Sequence, residues 1–249
     1  MEYGICHLSL VALRAEAADT SEMVTQVLYG ETFQIHERKE KWSHIRLSHD
    51  SYEGWIDNKQ FVSISEENYL IQQNQPLRLS SDLVDFIQGA NHELIPITVG
   101  STVSAAPLLN HHFEGASNST FLSKEHIIVT ASLFLNAPYL WGGKSPFGID
   151  CSGFTQLVYK IHGQFLLRDA SLQATQGEAL SFIEESEPGD LAFFDNEEGR
   201  IIHVGIIMAD NYIIHAHGKV RIDRLDHSGI YNSEYNRHTH KLRVIKRIF

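Results

Sequence analysis

Residues 200–218, RIIHVGIIMADNYIIHAHG, set two apolar runs back to back with only Ala-Asp-Asn between them. Runs this rich in Ile and Val are buried strands, and a short polar connection joins such strands as an antiparallel hairpin. One polar residue, His203, interrupts the first run, and His215 and His217 interrupt the second. Side chains alternate along a strand, so register decides which imidazoles share a face. If Met208 pairs with Tyr212 around a three-residue connection, His203, Gly205, His215 and His217 fall on one side. His203 then stands opposite His217 and diagonal to His215, within side-chain reach. A two-residue Asp-Asn turn would send His215 to the far face.

The flanking sequence extends this into an α+β domain over residues 116–249. DLAFFD and HKLRVIKRIF read as further strands. Upstream, SKEHIIVTASLFLNAPY reads as a helix capped by Ser123, with Ile127, Ala131 and Phe134 at helical spacing and Pro138 ending it. In DCSGFTQLVYKIHG, Phe154, Leu157, Val158 and Ile161 form one apolar stripe, and DASLQATQGEAL reads as a short helix or ordered loop. Residues 1–65 carry short alternating strands separated by Gly, Asp and Asn, among them WSHIRLS and YEGWIDNKQFVSI, and read as a small β-barrel. Residues 66–115, with LIQQ, LVDFIQGA and HELIPITVGS, read as a second barrel.

The 249-residue length suits this division. A net charge of −11 excludes nucleic acid and an anionic membrane surface as the main partner, since both reward clustered Lys and Arg. No apolar run is long enough to span a bilayer, and MEYGICHLSLVALRAEA lacks a basic leader, so the expected location is the cytoplasm. Two cysteines, Cys6 and Cys151, are too few for a disulfide framework. Cys6 reads as a small buried residue on a strand.

Cys151 lies in the first turn of its helix, where unpaired N–H groups and the helix dipole favour an anion. A thiolate is the nucleophilic form of cysteine, and such a setting, with an imidazolium nearby, lowers the thiol pKa. Asp150, at the N-cap position, opposes that lowering and so implies a further task, such as gripping a substrate amine or amide. The structural alternative is that Cys151 only packs beneath the helix end. A nucleophilic thiol needs a base and the base an orienting group, roles that the hairpin histidines suit. No cofactor or metal is required.

YLWGG, DCSGF, HVGI and IIHA, in that order, resemble the NlpC-type cysteine peptidases of bacterial cell-wall metabolism, which have a reduced papain-like fold. The resemblance implies Cys151 as nucleophile, His203 as general base and then acid, and His215 as the residue orienting His203; His217 is a rival for the last role. The N-terminal half is similar to the bacterial SH3-like domains that precede the catalytic domain in one branch of that group. Those members are γ-D-glutamyl–diamino acid endopeptidases that require a free N-terminal L-alanine. That branch implies a murein peptide as partner, Glu16 and Tyr52 as holders of its amine, with Asp50 a rival acid, and Tyr139, Asp150, Ser152 and Ser171 as substrate contacts. It leaves open whether the diamino acid is diaminopimelate or lysine.

Three other readings compete. A thioester-forming amidase or acyltransferase would use the same Cys and His on a different acyl donor, transferring to an amine or lipid in preference to water. A non-catalytic wall-binding protein would keep the fold without the chemistry. A metal hydrolase would use His215, His217 and Asp223, but it leaves Cys151 unexplained.

Overall fold

Alternation of apolar and polar side chains organises the N-terminal strands. β1 (Glu2–Ile5), β2 (Leu10–Arg14), β3 (Met23–Leu28), β4 (Thr32–Arg38), β5 (Trp42–Leu47), β6 (Glu53–Asp57) and β7 (Val62–Ile64) form one antiparallel sheet. Its order is β3-β2-β6-β5-β4-β1-β7. In β5, Ser43, Ile45 and Leu47 are buried while Trp42, His44 and Arg46 face outward, as the sequence pattern expects. The inward residues, including Val11, Leu13, Phe33, Ile45 and Ile56, make one core, and Cys6 is fully buried within it.

The protein is described here by a computed structural model covering residues 1–249, which divides into two compact units, 1–121 and 122–249. Residues 66–115 do not form the second barrel that the sequence suggested. LIQQ lies inside helix α1 (Glu66–Asn74), whose start is capped by Ser65 Oγ accepting the Asn68 N–H at 3.1 Å. Beyond it, β8 (Leu79–Ser80) pairs with β11 (Ser117–Asn118), and β9 (Val84–Gln88) pairs with β10 (Leu94–Thr98). Two strands cannot enclose a core. Ile87, Ile97, Val103 and Phe113 instead pack around Tyr29, which follows β3.

In the second unit the helix expected from Ser123 to Pro138 is much shorter. A 3₁₀ turn (Lys124–His126) leads into α2 (Ile127–Ser132), and the chain leaves helical geometry well before the proline. Ser132 Oγ bonds back to the Ile128 carbonyl, bonds of 3₁₀ type tighten residues 133–135, and Asn136 adopts a left-handed conformation (φ 68°). A small hairpin, β12 (Lys144–Ser145) with β13 (Gly148–Ile149), precedes α3 (Cys151–Ile161) and the short α4 (Ala170–Gln173).

The remaining strands are β14 (Glu178–Leu180), β15 (Leu191–Asp195), β16 (Ile201–Met208), β17 (Tyr212–His217), β18 (Lys219–Asp226), β19 (Gly229–Asn232) and β20 (Arg237–Arg247). They are antiparallel in the order β14-β20-β15-β16-β17-β18-β19, and β19 also pairs with β20, so six of them close a ring. Phe194, Ile207, Ile213, Leu225, Ile230 and Ile245, one from each ring strand, meet in a single apolar cluster. The rows that carry Ile207 and Ile213 into this cluster carry His203, Gly205 and His215 toward its other end.

Candidate active site

Met208 pairs with Tyr212 and Gly205 with His215, so the three-residue connection is the observed one. Asp210 and Asn211 close it with left-handed backbones (φ 58° and 61°), a conformation that Asp and Asn tolerate better than most residues. Strand alternation therefore brings His203 and His215 to the same face. His203 Nε2 and His215 Nδ1 lie 2.8 Å apart, both rings buried. Of the two rivals for the orienting position, His215 makes this bond, while His217 is exposed and meets His203 edge to face with ring centres 6.4 Å apart.

The chain of contacts continues. His215 Nε2 lies 3.0 Å from Asp223 Oδ2 on β18, and Arg221 holds the Asp223 carboxylate with Nε at 2.7 Å and a second guanidinium N–H at 3.0 Å. Both nitrogens of His215 are thereby engaged, which removes it as a ligand from the metal-hydrolase reading. Burial holds His203 well below the usual imidazole pKa, and the neighbouring His215, His240 and His217 push in the same direction. Burial likewise lowers His215, against the opposing pull of Asp223. Both rings are therefore neutral at physiological pH.

His240, at the start of HKLRVIKRIF, carries no role in the sequence pattern. It lies on β20 and stacks on His203, ring centres 4.2 Å apart and planes 25° apart. His217 meets it edge-on at 4.8 Å. Burial, then His215 and His217, lower its pKa to about 3, so it too is neutral. An open cleft of about 380 Å³ is lined by Tyr139, His203, His217 and His240. The alternation in HKLRVIKRIF locates the strand, but nothing in the sequence shows which imidazole of the fifteen comes to rest on His203.

All of α3 is buried, not one stripe of it. Phe154, Leu157, Val158 and Ile161 pack as expected, and polar side chains among them bond internally: Thr155 Oγ1 donates to Gln173 Oε1 at 2.7 Å, and Gln156 Nε2 to the Leu166 carbonyl at 3.0 Å. Cys151 is the first helical residue, and its sulfur accepts backbone N–H groups from Val204 and Ser152. Its thiol pKa is not lowered as the helix position suggested. Burial pushes it up to about 12, with Asp150 adding to the rise, and the two amides and Arg168 offset only part of it. Removing sulfur from water here outweighs the helix dipole. The resting thiol is protonated.

Asp150 caps α3 through the Gly153 N–H at 2.6 Å and also accepts the Gly142 N–H at 2.8 Å. Arg168 grips both of its oxygens, at 3.0 and 2.6 Å, and donates to Ser152 Oγ at 2.9 Å. These internal partners occupy the Asp150 carboxylate, correcting the expectation that it is free to hold substrate; Ser152 is drawn into the same buried network. The glycines before the helix also serve the chain itself. A Cβ at Gly153 would meet the Gly143 carbonyl at 2.4 Å, and one at Gly143 would meet the Gly148 carbonyl at 2.4 Å. Close backbone approach here is between loop and helix.

Tyr139 is half-buried beside the same cleft, and burial, with Cys151 and Asp150 nearby, keeps its phenol protonated far above neutral pH. Ser171 is exposed at the second residue of α4. In the other unit, Glu16 is exposed in the loop between β2 and β3, and Tyr52 packs partly against the sheet core. Asp50 is buried, with Oδ1 accepting the Tyr52 N–H at 3.0 Å and Oδ2 3.3 Å from His49 Nε2.

A family model described as NlpC/P60 matches residues 136–242, and one described as a bacterial dipeptidyl-peptidase SH3 domain matches residues 13–61. A γ-D-glutamyl-L-lysine dipeptidyl-peptidase of Bacillus cereus is 27% identical over 80% of this chain and 68% of its own length. Dipeptidyl-peptidase 6 of Lysinibacillus sphaericus is 27% identical over 86% and 88%. The crystal structure of an NlpC/P60 family protein from Bacillus cereus superposes with a TM-score of 0.82 across 99% of both chains at 20% identity, which shows a shared fold.

Proposed function

We propose that this chain, which carries an NlpC/P60 domain behind a bacterial dipeptidyl-peptidase SH3 domain, is a cysteine peptidase that cuts the γ-D-glutamyl–diamino acid bond of peptidoglycan-derived peptides bearing a free N-terminal L-alanine. The observation that carries this reading is the buried His203–His215 hydrogen bond, with His203 on a strand whose Val204 N–H reaches the sulfur of a cysteine that opens a buried helix. His203 Nε2 is engaged by His215, so Nδ1 is the nitrogen left to act as base. Nδ1 takes the thiol proton as the Cys151 sulfur adds to the amide carbonyl, and the backbone N–H groups at the start of α3 and the Tyr139 hydroxyl stabilise the oxyanion. The tetrahedral adduct collapses with cleavage of the C–N bond, and the imidazolium returns its proton to the leaving amine. Water, deprotonated by the same nitrogen, then adds to the thioester; the acid leaves and the thiol reforms.

Substrate selection rests on the likeness to the named peptidases. Glu16, exposed where Asp50 is buried and partnered, is the acid assigned to the substrate amine together with Tyr52, and Ser171, exposed on α4, is assigned to the D-glutamyl carboxylate, while Ser152 stays in the Asp150–Arg168 network. An internal peptide brings no ammonium to pair with that acid. Mass spectrometry of L-Ala-γ-D-Glu-diaminopimelate and L-Ala-γ-D-Glu-L-Lys digested with the protein should show release of the L-Ala-D-Glu dipeptide. Cys151→Ala should abolish release, acetylating the N-terminal amine should slow it by about 10-fold or more, the low end for a lost hydrogen bond to a charged group, and chelators should leave it unchanged. Equal cleavage of free and acetylated peptides, or turnover by Cys151→Ala, would overturn the assignment.

A further inference from the structure

We propose that Asp223 is a positioning residue that fixes which ring nitrogens of His215 and His203 carry protons, so that the Nδ1 lone pair of His203 is the one offered to the thiol. The inference rests on the peptidase reading for its consequence but on hydrogen-bond geometry for its substance.

An ionised carboxylate can only accept. Asp223 already takes two N–H donors from Arg221, and Arg221 is held in place by Glu234 at 3.0 Å. Burial alone would raise the Asp223 carboxyl, but the hydrogen bonds from His215 and Arg221 override it and hold the group below its ordinary value. The contact from His215 Nε2 at 3.0 Å must therefore carry a proton. A neutral imidazole has one N–H, so His215 Nδ1 is bare. That bare nitrogen lies 2.8 Å from His203 Nε2, which must then be the donor, and the single proton of neutral His203 is accounted for. Its Nδ1 is left with the lone pair.

The relay crosses three neighbouring strands by the same diagonal step. Gly205 pairs with His215 and Ile213 with Asp223, so each donor reaches the residue two positions beyond its own cross-strand partner. The other titratable groups around it are His217 on β17, His240 on β20 and Cys151 on α3, and none bonds to the two engaged nitrogens of His215.

Asp223→Asn keeps the shape but offers one acceptor and one donor. Arg221 claims the amide oxygen, the NH₂ turns to His215 Nε2, and both imidazoles change tautomer, with His203 Nδ1 now protonated. The expected result is a fall in kcat/KM of about 10⁴-fold at neutral pH, the scale of a mis-set tautomer in a hydrolase triad. Rate should return as pH rises toward thiol ionisation, because solvent then removes the proton. Nitrogen-15 NMR of the histidines, assigned by single His→Gln variants, reads the same order without substrate. The wild-type protein should show Nε2–H on both His203 and His215, and Asp223→Asn should show Nδ1–H on both. Nδ1–H on either ring of the wild type, or unchanged tautomers in Asp223→Asn, would overturn the proposal even if the variant were inactive. Lack of cleavage by the wild type would instead overturn the peptidase reading, with the tautomer order still decided by NMR.

Discussion

Cys151 joins two opposed influences at one atom. The helix start and the amides of Val204 and Ser152 favour a thiolate, while burial favours the thiol and prevails, leaving a pKa near 12. At rest the group is therefore a thiol, with no thiolate stored beforehand. This predicts that alkylation of Cys151 by iodoacetamide, followed by mass spectrometry in a Cys6→Ser background, climbs steadily from pH 6 to pH 10 with no plateau at low pH. A rate already saturated at pH 7 would mean a preformed thiolate. At this scale the sequence was legible where local rules apply: Asp150 as N-cap, Cys151 in the first turn and Cys6 in a core all follow from neighbours in the chain. Arg168 was not, because a long cation almost fully removed from water depends on Asp150, eighteen positions away.

Among elements, α3 shows how a buried helix is secured at its charged end. Asp150 supplies the cap and is the anion that makes burial of Arg168 tolerable. Asp150→Ala should lower unfolding free energy by about 3–5 kcal/mol, the range for stranding one partner of a buried pair. Asp150→Asn, which keeps the cap acceptor, should lose less. Urea unfolding of the two variants distinguishes them, and equal small losses would mean that Arg168 finds another acceptor. The β16–β17 hairpin and its face were readable because two apolar runs and a short polar link leave few registers. The strand that carries Arg221 and Asp223 was not: KVRIDRLD alternates with charge on both faces, and only the closed ring makes Asp223 a buried position. The segment 66–115 misled for a related reason, since its apolar residues share a core with Tyr29 and the pattern alone does not reveal a borrowed wall.

For the molecule as a whole, neutral imidazoles, three buried and three partly buried, set the response to acid. His7, His111, His162, His203, His215 and His240 all sit below the usual histidine pKa, with burial the leading cause in each. In the unfolded chain they titrate near about 6.5. Between that value and their lower folded values the unfolded state binds more protons, so stability falls as pH drops below about 6.5. Asp223 and Asp226 have lowered pKa values, and their contribution is lost only at more acidic pH. The urea midpoint should therefore decline between pH 7 and pH 5, and His203→Asn combined with His240→Phe should flatten the decline. A midpoint independent of pH over that range would contradict the assignment.

Gly205 faces His215 across the hairpin, and a Cβ there would meet the His215 Cβ at 2.8 Å and Ile213 at the same distance. The smallest enlargement at that point pries the second imidazole away from the first. Substitution can thus vary the cleft wall around Ile202 and Ala216, but position 205 is closed to it, because the hydrogen atom there is the clearance within which the paired rings meet.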